Sequence, residues 1–155
     1  MDYLGLTSTE QIRAVLTVSE ADLPDRVIDG FGLADDLGAL LDKALPTWED
    51  MLAAGGKHAR LLRLIGKYYC AGTMAGTAQV FVLKKQTDGS NEGQRSDKDG
   101  WLWMSGHFLG KADEALDEII DDLGLTPEAV LPNRVFSRVT PTRDPVTTPR
   151  ATNVS

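Results

Sequence analysis

Residues 57–85, KHARLLRLIGKYYCAGTMAGTAQVFVLKK, constrain the fold of this chain more than any other stretch. They open amphipathic, with Leu61, Leu62, Leu64, Ile65, Tyr68 and Tyr69 set between charges, and then turn apolar or small on nearly every side through Val82. A helix without a polar face must be covered all round. The segment therefore predicts one long central helix that the rest of the chain packs against, about 43 Å long at roughly 1.5 Å per residue. Gly66, Gly72 and Gly76 would each cost a helix interior about 1 kcal/mol relative to Ala, a cost that close approach of another backbone offsets. Gly72 and Gly76 share a face with Thr73 and Ala75 beside them, a flat strip for a neighbouring helix in the same subunit or in another. Both are candidate subunit-interface positions. The last residues, Gln79-Val80-Phe81-Val82-Leu83, also suit a strand, the competing reading of that end.

The elements before this helix are short. Thr7-Ser8-Thr9-Glu10-Gln11 has the capping-box arrangement ahead of Ile12, Val15 and Leu16, and predicts a first helix. Val18-Ser19 ends it, and Ser19 to Asp22 reads as the next cap. Leu23-Pro24-Asp25 then suits a helix start, with Val27, Ile28 and Phe31 on one apolar edge. Gly30, Gly32 and Gly38 weaken the segment that follows, although Leu33, Leu37, Leu40, Leu41 and Leu45 keep helical spacing. Pro46 predicts a kink or a break; Trp48, Met51 and Leu52 continue the stripe up to Gly55-Gly56, where the chain must turn.

Beyond the long helix, residues 86–100 (QTDGSNEGQRSDKDG) are turn formers and charges without an apolar anchor, which predicts an exposed loop. Asp88 and Gly93 match the first and sixth positions of a calcium loop, but Glu92 at the fifth and Asp99 at the twelfth depart from it. Trp101 and Trp103 re-enter the fold on a segment that is either extended or helical, and a helix would set them about 200° apart. One is read as core and one as interface, where Trp is enriched, and both are candidate subunit-interface positions. From His107 onward the pattern is helical. Phe108, Ala112, Leu116, Ile119, Ile120 and Leu123 form one face, and Asp113, Glu114, Asp117, Glu118, Asp121 and Asp122 the other, with Gly124 as C-cap. Thr126-Pro127-Glu128 begins one further short turn that Pro132 ends. A domain over residues 1–132 is thus followed by a different kind of segment, residues 133–155, in which Pro141, Pro145 and Pro149 recur. It predicts either a disordered end or an extended arm that orders on a partner, with Val135, Phe136 and Val139 as anchors and Arg134, Arg138, Arg143 and Arg150 as charges.

The 155 residues carry a net charge of −7, unevenly distributed. Residues 133–155 hold four arginines against Asp144 alone, a net of +3, while the other 132 residues hold 12 basic and 22 acidic side chains, a net of −10. Such a body repels DNA phosphates, so any contact with DNA is indirect or confined to the tail. The single cysteine, Cys70, excludes an internal disulfide framework and reads as a core side chain. The longest uncharged run, residues 68–83, is sixteen residues, short of the roughly 20 that span a membrane. The acidic start lacks a signal-peptide pattern, and a soluble intracellular protein is expected.

Catalytic patterns are missing from the sequence. His58 and His107, each read as standing near a helix start, lack the HxxxH or HExxH spacing of a zinc site. Neither GxGxxG nor GxxxxGK[ST] occurs. The reading is a non-enzyme without cofactor or metal.

Taken in order, the parts resemble the head-to-tail adaptor (head-tail connector) proteins of tailed bacteriophages. The likeness is carried by the capped opening Tyr3-Leu4-Gly5-Leu6-Thr7 with Val15-Leu16, and by Val18-Ser19-Glu20-Ala21-Asp22-Leu23-Pro24-Asp25 leading into the second helix. The long central helix, the charged loop, the second amphipathic helix and the extended tail follow in sequence. The resemblance implies an all-α fold, a small helical bundle around one long central helix with an extended C-terminal arm. It also implies a virion protein of the neck, assembled in the host cytoplasm, that self-associates into a ring of commonly twelve subunits beneath the portal protein. Genomic DNA passes through such a ring without sequence-specific binding, and the next neck or tail protein docks below it. In such adaptors the arm reaches the portal, which here would assign Arg134, Val135, Phe136, Arg138, Val139, Arg143 and Arg150 to portal docking. The glycine-rich second helix and the long tail depart from the family pattern. Two other readings are another phage neck or assembly protein, and a cytoplasmic helical module that binds a small ligand near Tyr68, Tyr69, Trp101 and Trp103.

Overall fold

The computed structural model describes residues 2–85 and 98–125. The chain is all-α, as the periodicity predicts, with one long helix against which the other elements pack. It opens, however, on a small hairpin that the sequence reading did not contain. Strands β1 (Asp2–Tyr3) and β2 (Thr7–Ser8) pair antiparallel, Asp2 opposite Ser8 and Tyr3 opposite Thr7. Leu4 and Gly5 turn the chain with φ of 56° and 71°, and the Leu6 N–H donates to the Tyr3 carbonyl at 2.9 Å. Two-residue strands are too short to leave an alternating pattern.

Helix α1 (Thr9–Leu16) starts where the capping box predicts, with the Gln11 N–H donating to Ser8 Oγ at 3.3 Å. Thr17 ends it in the left-handed region at φ 55°, and the Thr17 and Val18 N–H groups return to the Ala14 and Arg13 carbonyls. Ser19 and Asp22 do bond reciprocally, Ser19 Oγ donating to Asp22 Oδ2 at 2.5 Å and the Asp22 N–H to Ser19 Oγ at 3.3 Å. They build a turn, not a helix start. The helix waits for Pro24 and runs as α2 (Asp25–Asp29). This corner is tied from both sides, by the Arg13 guanidinium on Asp25 and the Tyr3 hydroxyl donating to Asp29 Oδ1 at 2.5 Å.

Gly32, at φ 65°, separates α2 from α3 (Leu33–Ala44), so the glycine-rich second helix is two helices. Pro46 marks a full break, after which α4 (Trp48–Ala54) begins, and Trp48 Nε1 donates back to Asp42 Oδ1 at 2.8 Å. Gly55 and Gly56 both take positive φ, 74° and 78°, and make the turn into the long helix. That helix, α5 (Gly56–Lys85), is 30 residues and remains helical through the segment that also suited a strand. At ~1.5 Å per residue it is about 45 Å long.

Helix α6 (Lys98–Asp122) corrects two expectations together. It begins at Lys98, so the last three residues of the predicted 86–100 loop are helical, and His107 is in mid-helix; of the two readings of Trp101 and Trp103, the helical one holds. The charges of the loop hid the start, because the apolar face is carried there by Trp101 and Met104 alone. Gly124, at φ 64°, closes the helix, its N–H on the Asp121 carbonyl and the Leu125 N–H on that of Ile120. This is the Schellman pattern. Residues 86–97, with the calcium-like stretch, the short turn at 126–132 and the arm at 133–155 lie outside the described residues.

One core joins these elements. Ile12, Leu16, Leu23, Ile28, Leu33, Leu37, Leu41 and Leu45 meet Leu62, Ile65 and Met74 of α5 and Leu116, Ile119 and Ile120 of α6. The α5–α6 pair is the most extensive packing in the molecule. The predicted apolar face of α6 is buried from Ala112 to Ile120, but Leu123 is exposed.

Candidate interaction surface

The glycine strip of α5 explains how α6 comes so close. A Cβ on Gly72 would lie 2.8 Å from Leu109 Cγ and 3.0 Å from its backbone nitrogen, and one on Gly76 would lie 3.3 Å from Ser105 Oγ. Ser105 Oγ in turn donates to the Gly72 carbonyl at 2.8 Å. Gly72 and Gly76 thus face a helix of the same chain, and that contact accounts for both without a second subunit. At the far end of the pair, Lys57 Nζ joins Glu118 at 2.9 Å and Asp122 at 2.6 Å, and His58 Nε2 lies 3.4 Å from the same Asp122 carboxylate. Lys57 and then Glu118 and His58 surround that corner; hydrogen bonding to Lys57 is the main cause that holds the Asp122 carboxyl below its ordinary range. The same bonds raise Lys57.

Between these two anchor points, the outer face of the pair carries an array of aromatic rings. Trp103 stacks on His107, with centroids 5.0 Å apart and planes 8° from parallel. His107 lies tilted against Phe108 at 5.6 Å, and Phe108 stacks on Tyr68 of α5 at 6.0 Å. Lys67 Nζ stands 4.7 Å above the Tyr68 ring, with Lys111 Nζ at 5.9 Å. The array continues into an open groove of about 260 Å³ lined by Leu61, Leu64, Tyr68, Lys111, Glu114, Ala115 and Glu118. Regular helical geometry places most of these residues on one side: 103, 107, 111, 114 and 118 fall within an 80° stripe at about 100° per residue, and 57, 61, 64 and 68 within a similar one, with Phe108, Ala115 and Lys67 flanking them.

The two tryptophans differ in exposure, as a separation of about 200° on one helix requires. Trp101 is half-buried against the core, while Trp103 is 67% exposed and its neighbour Leu102 is 48% exposed. Leu64, at 36%, is the exposed aliphatic side chain of the groove. Tyr68 lines that groove, but Tyr69, Trp101 and Trp103 do not, so the four aromatics assigned to a ligand pocket do not converge on this cavity. Tyr69 instead packs against the core, where burial raises its hydroxyl pKa. Leu102, His107 and the groove residues other than Tyr68 were not assigned to a site by the sequence reading. The available signal was the recurrence of 103, 107, 111, 114 and 118 at helical spacing, visible once the helix is started before Trp101.

Two other sites narrow what the surface does chemically. Cys70 is fully buried and burial pushes its thiol up to about 12, so it is no nucleophile at neutral pH. Among the described residues, no group of three or more His, Cys, Asp or Glu is placed to hold a metal ion. No described helix is long and apolar enough to cross a membrane. The portal-docking candidates Arg134, Val135, Phe136, Arg138, Val139, Arg143 and Arg150 lie outside the described residues. No family model, curated protein or solved structure matches this chain.

Proposed function

We propose that this chain is a structural head-to-tail adaptor of a tailed bacteriophage, a subunit of a ring that joins the portal of the capsid to the neck or tail below and lets genomic DNA pass. The observation that carries the reading is the exposed indole of Trp103 beside Leu102, on a helix whose opposite face is packed into the core. An exposed Trp–Leu pair continuous with an aromatic array is what a protein contact uses, since Trp and Tyr concentrate binding energy when a partner excludes water from them. A subunit in a closed ring has such a contact on each flank. The charge distribution supports the same reading. An acidic body of net −10 lining or bordering a channel lets a polyanion slide without gripping it, and leaves the basic tail to make contacts elsewhere.

The arm at residues 133–155 is assigned to the portal, with Phe136, Val135 and Val139 as anchors and the arginines Arg134, Arg138, Arg143 and Arg150 against acidic groups. The ring contact is assigned to Trp103 and Leu102. The test is the mass of the purified chain with and without a portal ring, by native mass spectrometry. Binding in a fixed subunit ratio supports the adaptor reading, and a chain that stays monomeric and indifferent to the portal contradicts it.

A further inference from the structure

The groove between α5 and α6 is lined by apolar side chains with two carboxylates to one lysine, and the chain itself contains a segment that combines apolar side chains with arginine. Leu61, Leu64, Tyr68 and Ala115 form its floor and one wall. Glu114 and Glu118 line it opposite one lysine, Lys111, and beyond it Lys57 bridges Glu118 to Asp122. Residues 134–139 read Arg-Val-Phe-Ser-Arg-Val, three large apolar side chains interleaved with two guanidinium groups and no acid. We propose that this segment docks in the groove of its own molecule, Phe136 on Tyr68 and Leu64, and Arg134 and Arg138 toward the carboxylates of α6.

Chain length and end point make the seat reachable. The last described residue, Leu125, follows directly on the end of α6, and Glu118 stands seven residues earlier, about 10 Å along the helix at ~1.5 Å per residue. Eight residues, 126–133, separate Leu125 from Arg134, and extended they reach about 26 Å or more. That is enough to turn and run back along α6. A tether this short holds its end at an effective concentration in the millimolar range, so a contact too weak to capture a free peptide still closes in the same molecule. Charge acts in the same direction, residues 133–155 carrying a net +3 and residues 1–132 a net −10. The docked arm covers the exposed side of Leu64 and the Tyr68 ring, and any partner of the arm must compete with the groove for Phe136. The inference stands on the groove and the arm alone, and holds or fails whatever the chain assembles with.

The experiment uses the full chain with Ser137→Cys carrying a nitroxide; Cys70 is buried and takes no label. Amide signals of Leu64, Tyr68, Lys111 and Ala115 are expected to broaden, and to stay broadened when the labelled chain is diluted into an excess of unlabelled chain. Arg134→Glu with Arg138→Glu, both outside the bundle, should abolish the broadening, as should Leu64→Glu at its exposed position. Broadening that disappears on dilution assigns the seat to a second copy and overturns docking in the same molecule. Broadening that is absent, spread evenly over the surface, or unaffected by the charge reversals overturns it as well.

Discussion

A methyl group added at Gly66 would sit 2.7 Å from Leu6 Cβ and 3.5 Å from the Leu6 carbonyl carbon, inside the hairpin that crosses α5. Gly66→Ala is expected to destabilise the fold by about 1–3 kcal/mol, the ordinary cost of overpacking a closed site, and Gly72→Ala to do the same against Leu109. Gly106 is the control. Its Cβ would meet nothing within 4 Å, so Gly106→Ala should instead add about 1 kcal/mol through helix propensity alone. Urea unfolding of the three variants checks both signs. Cys70 makes a pH prediction of the same kind. Its thiol titrates at about 12 in the fold against an ordinary 9.0, because burial disfavours the thiolate. The raised pKa contributes stability that is complete below about pH 9 and is lost as pH rises toward about 12. Unfolding curves across that window should fall more steeply for the wild type than for Cys70→Ala.

At the level of elements, the ends are set by single side chains that the sequence displays openly. Ser8 accepts the Gln11 N–H, and Ser8→Ala is expected to cost about 1 kcal/mol, read from the urea midpoint. Arg13, buried beside α2, holds the Asp25 carboxyl below its ordinary range, with a further hydrogen bond from Thr9. Stability from that lowered carboxyl is present above the ordinary pKa and is lost as pH falls into the acid range. The long helix, the capping box, the Gly55-Gly56 turn and the Gly124 cap were all legible, because each depends on local pattern or backbone freedom. What was hidden depends on distant contacts. The Leu4-Gly5 hairpin takes its place because Leu6 lies over Gly66, sixty residues away, and the Ser19–Asp22 pair has the chemistry of a cap but caps only a turn. The interaction surface was half legible. Trp103 could be named from its type and neighbours, but the stripe it belongs to needs the true start of α6, which polar residues obscure.

In the whole molecule, the helix pair that folds the chain also presents its exposed surface. The core holds α5 and α6 together through Ile65, Met74, Leu116, Ile119 and Ile120, and the outer face of the same pair carries Trp103 without covering it. Trp103→Ala should therefore leave the unfolding midpoint within about 0.5 kcal/mol of wild type, the usual range for surface substitutions, while the proposed self-association, measured by sedimentation, should be lost. An equal loss of stability and association would assign Trp103 to the fold instead. The adaptor reading itself is tested most directly by adding the full-length chain, and a chain ending at Pro132, to a purified portal ring and measuring the mass of each mixture. The account predicts that the full-length chain joins the ring in a fixed ratio and that the shortened chain does not. A full-length chain that leaves the mass of the portal unchanged would contradict it.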